Sequence, residues 1–267
     1  LHEFAAGSMD IDSHALDYLA QARWHHFRFQ LGEMDGLDRR RKVVKVAPVF
    51  DEAGRELIAR REIAYDTLVI AVGSRSNDFA TPGAREHAIS LDMPEQAEEF
   101  HLRLVNACIR ANSQDGPLRP EQLKVAIIGA GATGVGLAAE LHKTTRELVA
   151  YGLDRIDPEK DIQLTVIEAA PRILPAVPER VSKAAGELLR ELDVRVLVNE
   201  RVTAVSATGV VTASGKEIPA ELTVWAAGIK APGFLKDLDG LETNRINQLV
   251  VTELLVATRD PDIFAIG

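Results

Sequence analysis

Three glycines and one acid are the residues of this chain whose type and spacing point to chemistry. Gly129, Gly131 and Gly134 form G-x-G-x-x-G inside residues 123–141, LKVAIIGAGATGVGLAAEL. In such a run the first glycine permits a tight turn, the second lets backbone approach a pyrophosphate, and the third lets a helix pack closely on a strand. Ala130, Ala132 and Thr133 complete the loop. The helix that follows offers free N–H groups and a partial positive charge to an anion. Glu168 ends the stretch DIQLTVIE, with Ala169 beside it. A carboxylate there accepts hydrogen bonds from the hydroxyls of an adenosine ribose and repels a 2′-phosphate. Arg172, four residues on, is the one feature expected to favour a 2′-phosphate instead, by pairing with it. The plainer alternatives are an ordinary tight turn for the glycines and a solvated strand-end acid for Glu168.

These residues need a strand, a helix and a second strand to position them. Residues 125–128 are apolar and mostly β-branched, as in a buried parallel strand. The following VGLAAELHKTTRELVAYG places Leu137, Ala138, Leu141 and Leu148 at helical spacing. Residues 161–168 alternate into the second strand. Gly134 and Glu168 lie farther apart than the roughly 20 residues usual for this unit. The long helix and the polar connector DRIDPEK account for the excess.

Other chemistries are not encoded. The chain has no G-x-S-x-G, no H-E-x-x-H and no Walker motif. Its single Cys108 lies on a helical pattern and reads as a packed core thiol, which fits a reducing compartment. His25 and His26 are adjacent and do not share a face, so no metal site is expected. A net charge of −9, with RRRK (residues 39–42) as the only basic run, argues against nucleic acid as a partner. That run reads as a solvated hairpin. No apolar run approaches 18 residues, so no membrane-spanning helix is expected, and no signal-peptide pattern is read.

With 267 residues, of which 46% are hydrophobic, the chain suggests about two domains. Before the glycine loop, Ser13 is a candidate cap for a helix through DSHALDYLAQARWHH. FRFQL, residues 42–50 and residues 56–63 read as antiparallel strands. Residues 68–72 form an apolar strand ended by Gly73. Residues 94–112 read as a helix. After Glu168, residues 179–192 predict an amphipathic helix with Val181, Ala185, Leu188 and Leu189 inward. Short strands are expected at 194–197, 201–205, 209–212, 221–226, 248–251 and 263–266.

LHEFAAGS, YDTLVIAVGSRSNDFATPGAREHA, VAIIGAGATGVGLAAELH, EAAPRILPAVPERVS, TVWAAGIKAPGFL and TRDPDIFAIG span nearly the whole chain. In that order they resemble the type II NADH dehydrogenases, single-chain FAD-dependent NADH:quinone oxidoreductases of the pyridine nucleotide-disulfide oxidoreductase superfamily. The NDF-x-TPG-x-x-EHA run is more specific than any glycine motif. The resemblance implies an α/β chain in which a Rossmann-like NAD(H)-binding domain is inserted into a partial FAD-binding domain. Residues 1–93 and 241–267 would be the FAD side and 94–240 the NADH side. The family's own FAD glycine loop would precede Leu1, its acid after F-A-I-G would follow Gly267, and its membrane-docking helices lie later still. The chain is therefore expected to be an internal fragment, inactive by itself and holding FAD weakly or not at all.

The resemblance also assigns roles. Gly129, Gly131 and Gly134 would hold the pyrophosphate and Glu168 the ribose. Ala227, Gly228 and Ile229 would hold the nicotinamide end, with Gly228 small enough to let that ring approach backbone. Ala71, Val72, Gly73 and Gly267 would touch FAD. The implied reaction passes a hydride from NADH to FAD and electrons onward to membrane quinone, so few acid–base residues are needed and none is assigned. The implied setting is peripheral, on the cytoplasmic face of the cell membrane, as a homodimer. One departure stands out: the family's GATGVEL reads GATGVGL here, with Gly136 in place of a Glu near nicotinamide and flavin. A ferredoxin or rubredoxin reductase-like flavoprotein, or a dinucleotide-binding module without catalysis, are the competing readings.

Overall fold

Alternation on the Lys124–Ile128 strand decides the architecture. Val125 and Ile127 point into one apolar cluster and Ala126 and Ile128 into another, so both faces of this strand are buried. That is the signature of a parallel sheet covered on two sides. In the computed structural model, which describes residues 1–10 and 16–267, it is the central strand of five. The order is Arg195–Leu197, Gln163–Ile167, Lys124–Ile128, Leu222–Trp225 and Ala88–Ser90, and every neighbouring pair is parallel.

Helices cover one face. Phe100 and Leu104 of the Pro94–Ser113 helix and Leu137 and Leu141 of the Ala132–Ala150 helix pack on Val125, Ile127 and Val166. A three-stranded antiparallel meander, Val202–Ser206, Gly209–Thr212 and Glu217–Pro219, covers the other, packing Val205, Val210 and Ile218 against Ala126, Ile128 and Trp225. Cys108 is fully buried among Ala107, Ala111, Leu123 and Ile156. Burial pushes its thiol up to about 11, so it is an inert core residue, as expected.

The chain divides into two compact units, Leu1–His14 with Ser76–Gly228, and Ala15–Arg75 with Ile229–Gly267. Packing thus places its boundaries elsewhere than the sequence positions 93/94 and 240/241. Residues 76–93 belong with the parallel sheet because Ala88–Ser90 supplies its edge strand. The second unit carries an antiparallel sheet of Met34–Asp38, Val43–Val46 and Arg61–Ala64. It also pairs Leu68–Ile70 in parallel with Ile263–Ala265. RRRK is its hairpin turn, where Arg39, Arg41 and Lys42 form ion pairs with Asp260, Glu62 and Asp262.

Several expectations are corrected. FRFQL is not a strand: it pairs with no strand among the described residues, and Phe29 stacks on Tyr18 at 5.4 Å. The early helix spans Tyr18–His25 and is capped by Asp17, whose Oδ1 accepts from the Leu19 and Ala20 N–H groups. Ser13, the expected cap, lies outside the described residues. Residues 248–251 make only single bridges, interrupted by left-handed Asn247 and Leu255. On the Glu179–Glu191 helix, Val181 and Leu188 face solvent, and Leu189 and Ser182 are the buried residues.

Candidate nucleotide site

The site is built where the parallel strands end. Gly129 follows the central strand with φ +102°, and its N–H donates to the Ile167 carbonyl at 2.8 Å. A Cβ at Gly129 would stand 2.7 Å from the Ala226 carbonyl oxygen and from Ala227 backbone. A Cβ at Gly134 would stand 2.0 Å from the Gly129 carbonyl oxygen. At Gly131 a Cβ would meet nothing within 4 Å. The first and third glycines are therefore required by close backbone packing, while the second keeps an approach open.

Gly131 is also the N-cap of the Ala132–Ala150 helix, and it supplies no side chain to the first-turn N–H groups. Ala132 and Thr133 are exposed in that turn. An uncapped helix start beside an open glycine suits an anion. Ala130 is fully buried, and its carbonyl accepts from the Leu174 N–H at 2.7 Å, which fixes the loop from behind.

Glu168 is more than a solvated strand-end acid. Its Oε2 accepts from the Ala130 N–H and its Oε1 from the Ala170 N–H, both at 2.8 Å. The carboxylate thus ties the glycine loop to the end of the neighbouring strand. Each oxygen retains acceptor capacity for a further donor. Glu168 and exposed Ala169 line a cleft of about 490 Å³ with Gly129, Ala227 and Trp225. That volume falls within the roughly 300–1,000 Å³ of small-molecule sites. Trp225 is a wall residue with a core body, since its Nε1–H donates to the Asn77 and Ala227 carbonyls at 2.9 and 3.0 Å.

Two features of this cleft carried no sequence signal. Phe79 is exposed with φ +50°, and its ring lies where a Cβ on Gly228 would be, 2.4 Å from Cζ. The space expected at Gly228 for an incoming ring is lined by an aromatic ring of the chain itself. Glu200 is the other. It is 6% exposed, and its carboxylate accepts from Ser214 Oγ at 2.8 Å and pairs with Lys216. Hydrogen bonds from Lys216, Ser214 and Thr212 draw it down to about 2. Arg172, by contrast, is spent on its own loop: its guanidinium donates to the carbonyls of Leu174, Pro175 and Val177 at 2.8–3.2 Å.

The remaining expected residues lie in the second unit. Val72, Gly73 and Gly267 line a pocket of about 280 Å³, and a Cβ at Gly267 would stand 3.5 Å from the Gly73 Cα. Ala71 is exposed at the same strand end. Ile229 opens this unit's second segment and is exposed, so the Ala227–Gly228–Ile229 run is divided between the two units. Among the described residues no cluster of three or more His, Cys, Asp or Glu could hold a metal ion.

Residues 7–267 match the family described as pyridine nucleotide-disulphide oxidoreductase. The chain is 41% identical to a type II NADH:quinone oxidoreductase of Haemophilus influenzae, across 100% of this chain and 63% of that protein. It is 34% identical to the external alternative NAD(P)H-ubiquinone oxidoreductase B1 of Solanum tuberosum mitochondria, across 77% of this chain and 37% of the relative. Among solved structures, an NDH2 of Plasmodium falciparum in complex with NADH superposes with a TM-score of 0.81 at 21% identity, covering 100% of this chain and 55% of that one. The chain therefore spans less than two thirds of each of these proteins.

Proposed function

Because the chain belongs to the pyridine nucleotide-disulphide oxidoreductase family, we propose that the cleft of its first unit binds NADH, and that the whole protein oxidises NADH with FAD and passes the electrons to a membrane quinone. The observation that carries this reading is the open backbone at Gly131 beside an uncapped helix start, with the Glu168 carboxylate on the neighbouring strand end. The pyrophosphate lies against Gly129, Gly131 and Gly134, with Ala130, Ala132 and Thr133 completing the cradle. Glu168 and Ala169 take the ribose, and Ala227 and Gly228 the nicotinamide end, with Ile229 following. The 41% identity to a named NADH:quinone oxidoreductase supports the choice of donor and acceptor.

FAD, when bound, supplies the acceptor for the hydride. The residues present fit part of it: Gly73 and Gly267, with Val72 beside them, offer open backbone just beyond paired strand ends. Their pocket of about 280 Å³ is too small for the whole cofactor, and no second glycine-rich phosphate loop stands in the sequence. These 267 residues by themselves are thus expected to bind NADH, to hold FAD weakly, and to act as a dinucleotide-binding module. The protein's own contribution to the reaction is to bind and orient the dinucleotide and to exclude water; no side chain is assigned a proton transfer.

The proposed setting is peripheral, on the cytoplasmic face of the membrane, and no helix among the described residues is long and apolar enough to cross a bilayer. A homodimer is the proposed assembly. The Leu68–Ile70 and Ile263–Ala265 pair stands as a two-stranded sheet, with Val69 exposed, and such edges recruit further strands. Titration of the chain with NADH, followed by nucleotide fluorescence, tests the reading. Saturable binding that is lost in Gly131→Val, with unfolding unchanged, is expected; binding unaffected by that change would place the nucleotide elsewhere.

A further inference from the structure

The cleft holds a charged side chain that the proposed NADH site leaves unused. Arg201 precedes the Val202–Ser206 strand, is exposed, and lines the cleft that Glu168 lines. Its backbone is held on both sides. The Arg201 carbonyl accepts from the Ala213 N–H at 2.8 Å, and the N–H of the preceding Glu200 donates to the Glu168 carbonyl at 2.9 Å. Arg201 is therefore anchored one residue from a direct backbone bond to the acid that faces the ribose.

Its guanidinium is unengaged among the described residues. The adjacent Glu200 is not available to it, because that carboxylate is buried and taken by Lys216 and Ser214. Arg172, four residues from Glu168, is consumed by three carbonyls of its own loop. Among the described residues, the free cation lining this cleft is thus Arg201. A planar guanidinium presents a fork of donors that matches a phosphate monoester. NADH has no such group, and NADPH carries one on its 2′ oxygen.

We propose that Arg201 is a specificity-determining residue that receives the 2′-phosphate of NADPH, so that this site takes NADPH as a second, weaker dinucleotide. The inference rests on the nucleotide site proposed above. Glu168 repels the phosphate while Arg201 pairs with it. NADPH binding therefore depends on Arg201 and NADH binding does not.

The experiment is titration of the chain, and of Arg201→Ala and Arg201→Lys, with NADH and with NADPH over a range of salt concentrations. Arg201→Ala should weaken NADPH about tenfold or more, the scale of a hydrogen bond to a charged group, and leave NADH nearly unchanged. Retained NADH binding shows in the same measurement that the variant is folded. Arg201→Lys should fall between, because an ammonium keeps the charge and loses the fork. Added salt should weaken NADPH on the wild type more steeply than on Arg201→Ala. The proposal is overturned if NADPH does not bind the wild type, if Arg201→Ala leaves NADPH unchanged, or if it weakens both nucleotides alike, which would place Arg201 on the adenine or the pyrophosphate. Failure of the wild type to bind NADH would overturn the nucleotide site itself.

Discussion

Replacing Glu168 by alanine separates two tasks that the structure gives to one carboxylate. Oε2 accepts from Ala130 N–H and Oε1 from Ala170 N–H, and Ala130 is completely buried. Truncation leaves the Ala130 donor without an acceptor, which costs about 1–3 kcal/mol of stability. It also removes the acceptor proposed for the ribose hydroxyls. A hydrogen bond to a charged group contributes about 1.5–3 kcal/mol, so the loss of one should weaken NADH about ten- to a hundredfold. For NADPH the same change removes a repulsion as well as an acceptor, so it should lose less or gain. The gap between the two nucleotides should narrow mainly from the NADH side. Glu168→Gln retains one carbonyl oxygen and faces one N–H with its own amide, so it should recover part of the stability and little of the discrimination. Calorimetric titration with both nucleotides, paired with urea unfolding, reads both tasks at once. A stability loss with an unchanged NADH-to-NADPH ratio would make Glu168 only the tie of the glycine loop. A changed ratio without a stability loss would refute the argument from Ala130.

Gly134→Ala forces a Cβ to 2.0 Å from the Gly129 carbonyl oxygen, so unfolding should be easier by at least the roughly 1–3 kcal/mol of overpacking, whereas Gly131→Ala should unfold like the wild type and bind NADH less well. Glu200 is drawn from an ordinary 4.5 to about 2 in the folded chain, so its contribution is complete above pH 4.5 and is lost as pH falls toward 2. Unfolding of Glu200→Gln followed against pH should show the wild type's advantage above 4.5 shrinking through that window; a constant difference would refute the assignment. Gly136→Ala gains about 1 kcal/mol of helix propensity and brings a Cβ to 3.0 Å from the His2 ring, a side chain that can turn aside. The variant should be the more stable in urea, and a loss would mean that the His2 contact is rigid. In the whole protein, Gly136→Glu should change turnover more than NADH affinity, read from kcat and binding measured separately.

The parts of this site that the sequence reveals are those whose physics is local. A strand buried on both faces shows as an apolar run, and three glycines spaced across a strand-to-helix junction show why each is needed. The contacts at Gly129, Gly131 and Gly134 follow that order. The site also contains contributions from residues far apart in sequence, and these carry no local pattern. The edge strand Ala88–Ser90 has only three residues and exists because Leu222–Trp225 stands ready to pair with it. FRFQL has the better alternation, yet it pairs with no strand among the described residues. Periodicity reports which face a strand would bury, and pairing decides whether the strand forms.

The same distinction governs the charges. Arg172 looks significant in sequence because it lies four residues from Glu168, yet its loop turns the guanidinium onto the carbonyls of Leu174, Pro175 and Val177. Arg201 lies much farther along the chain and comes to the cleft because the Glu200 N–H bonds the Glu168 carbonyl. Its guanidinium has no partner among the described residues, while the adjacent Glu200 carboxylate is buried and paired with Lys216 from the turn before the meander's third strand. Which charges are left unpaired is thus set by the folded packing and not by sequence neighbours. Sequence distance from the strand-end acid is for this reason a poor guide to which cation is free at the cleft, and the count of unspent hydrogen-bond donors around it is the better one.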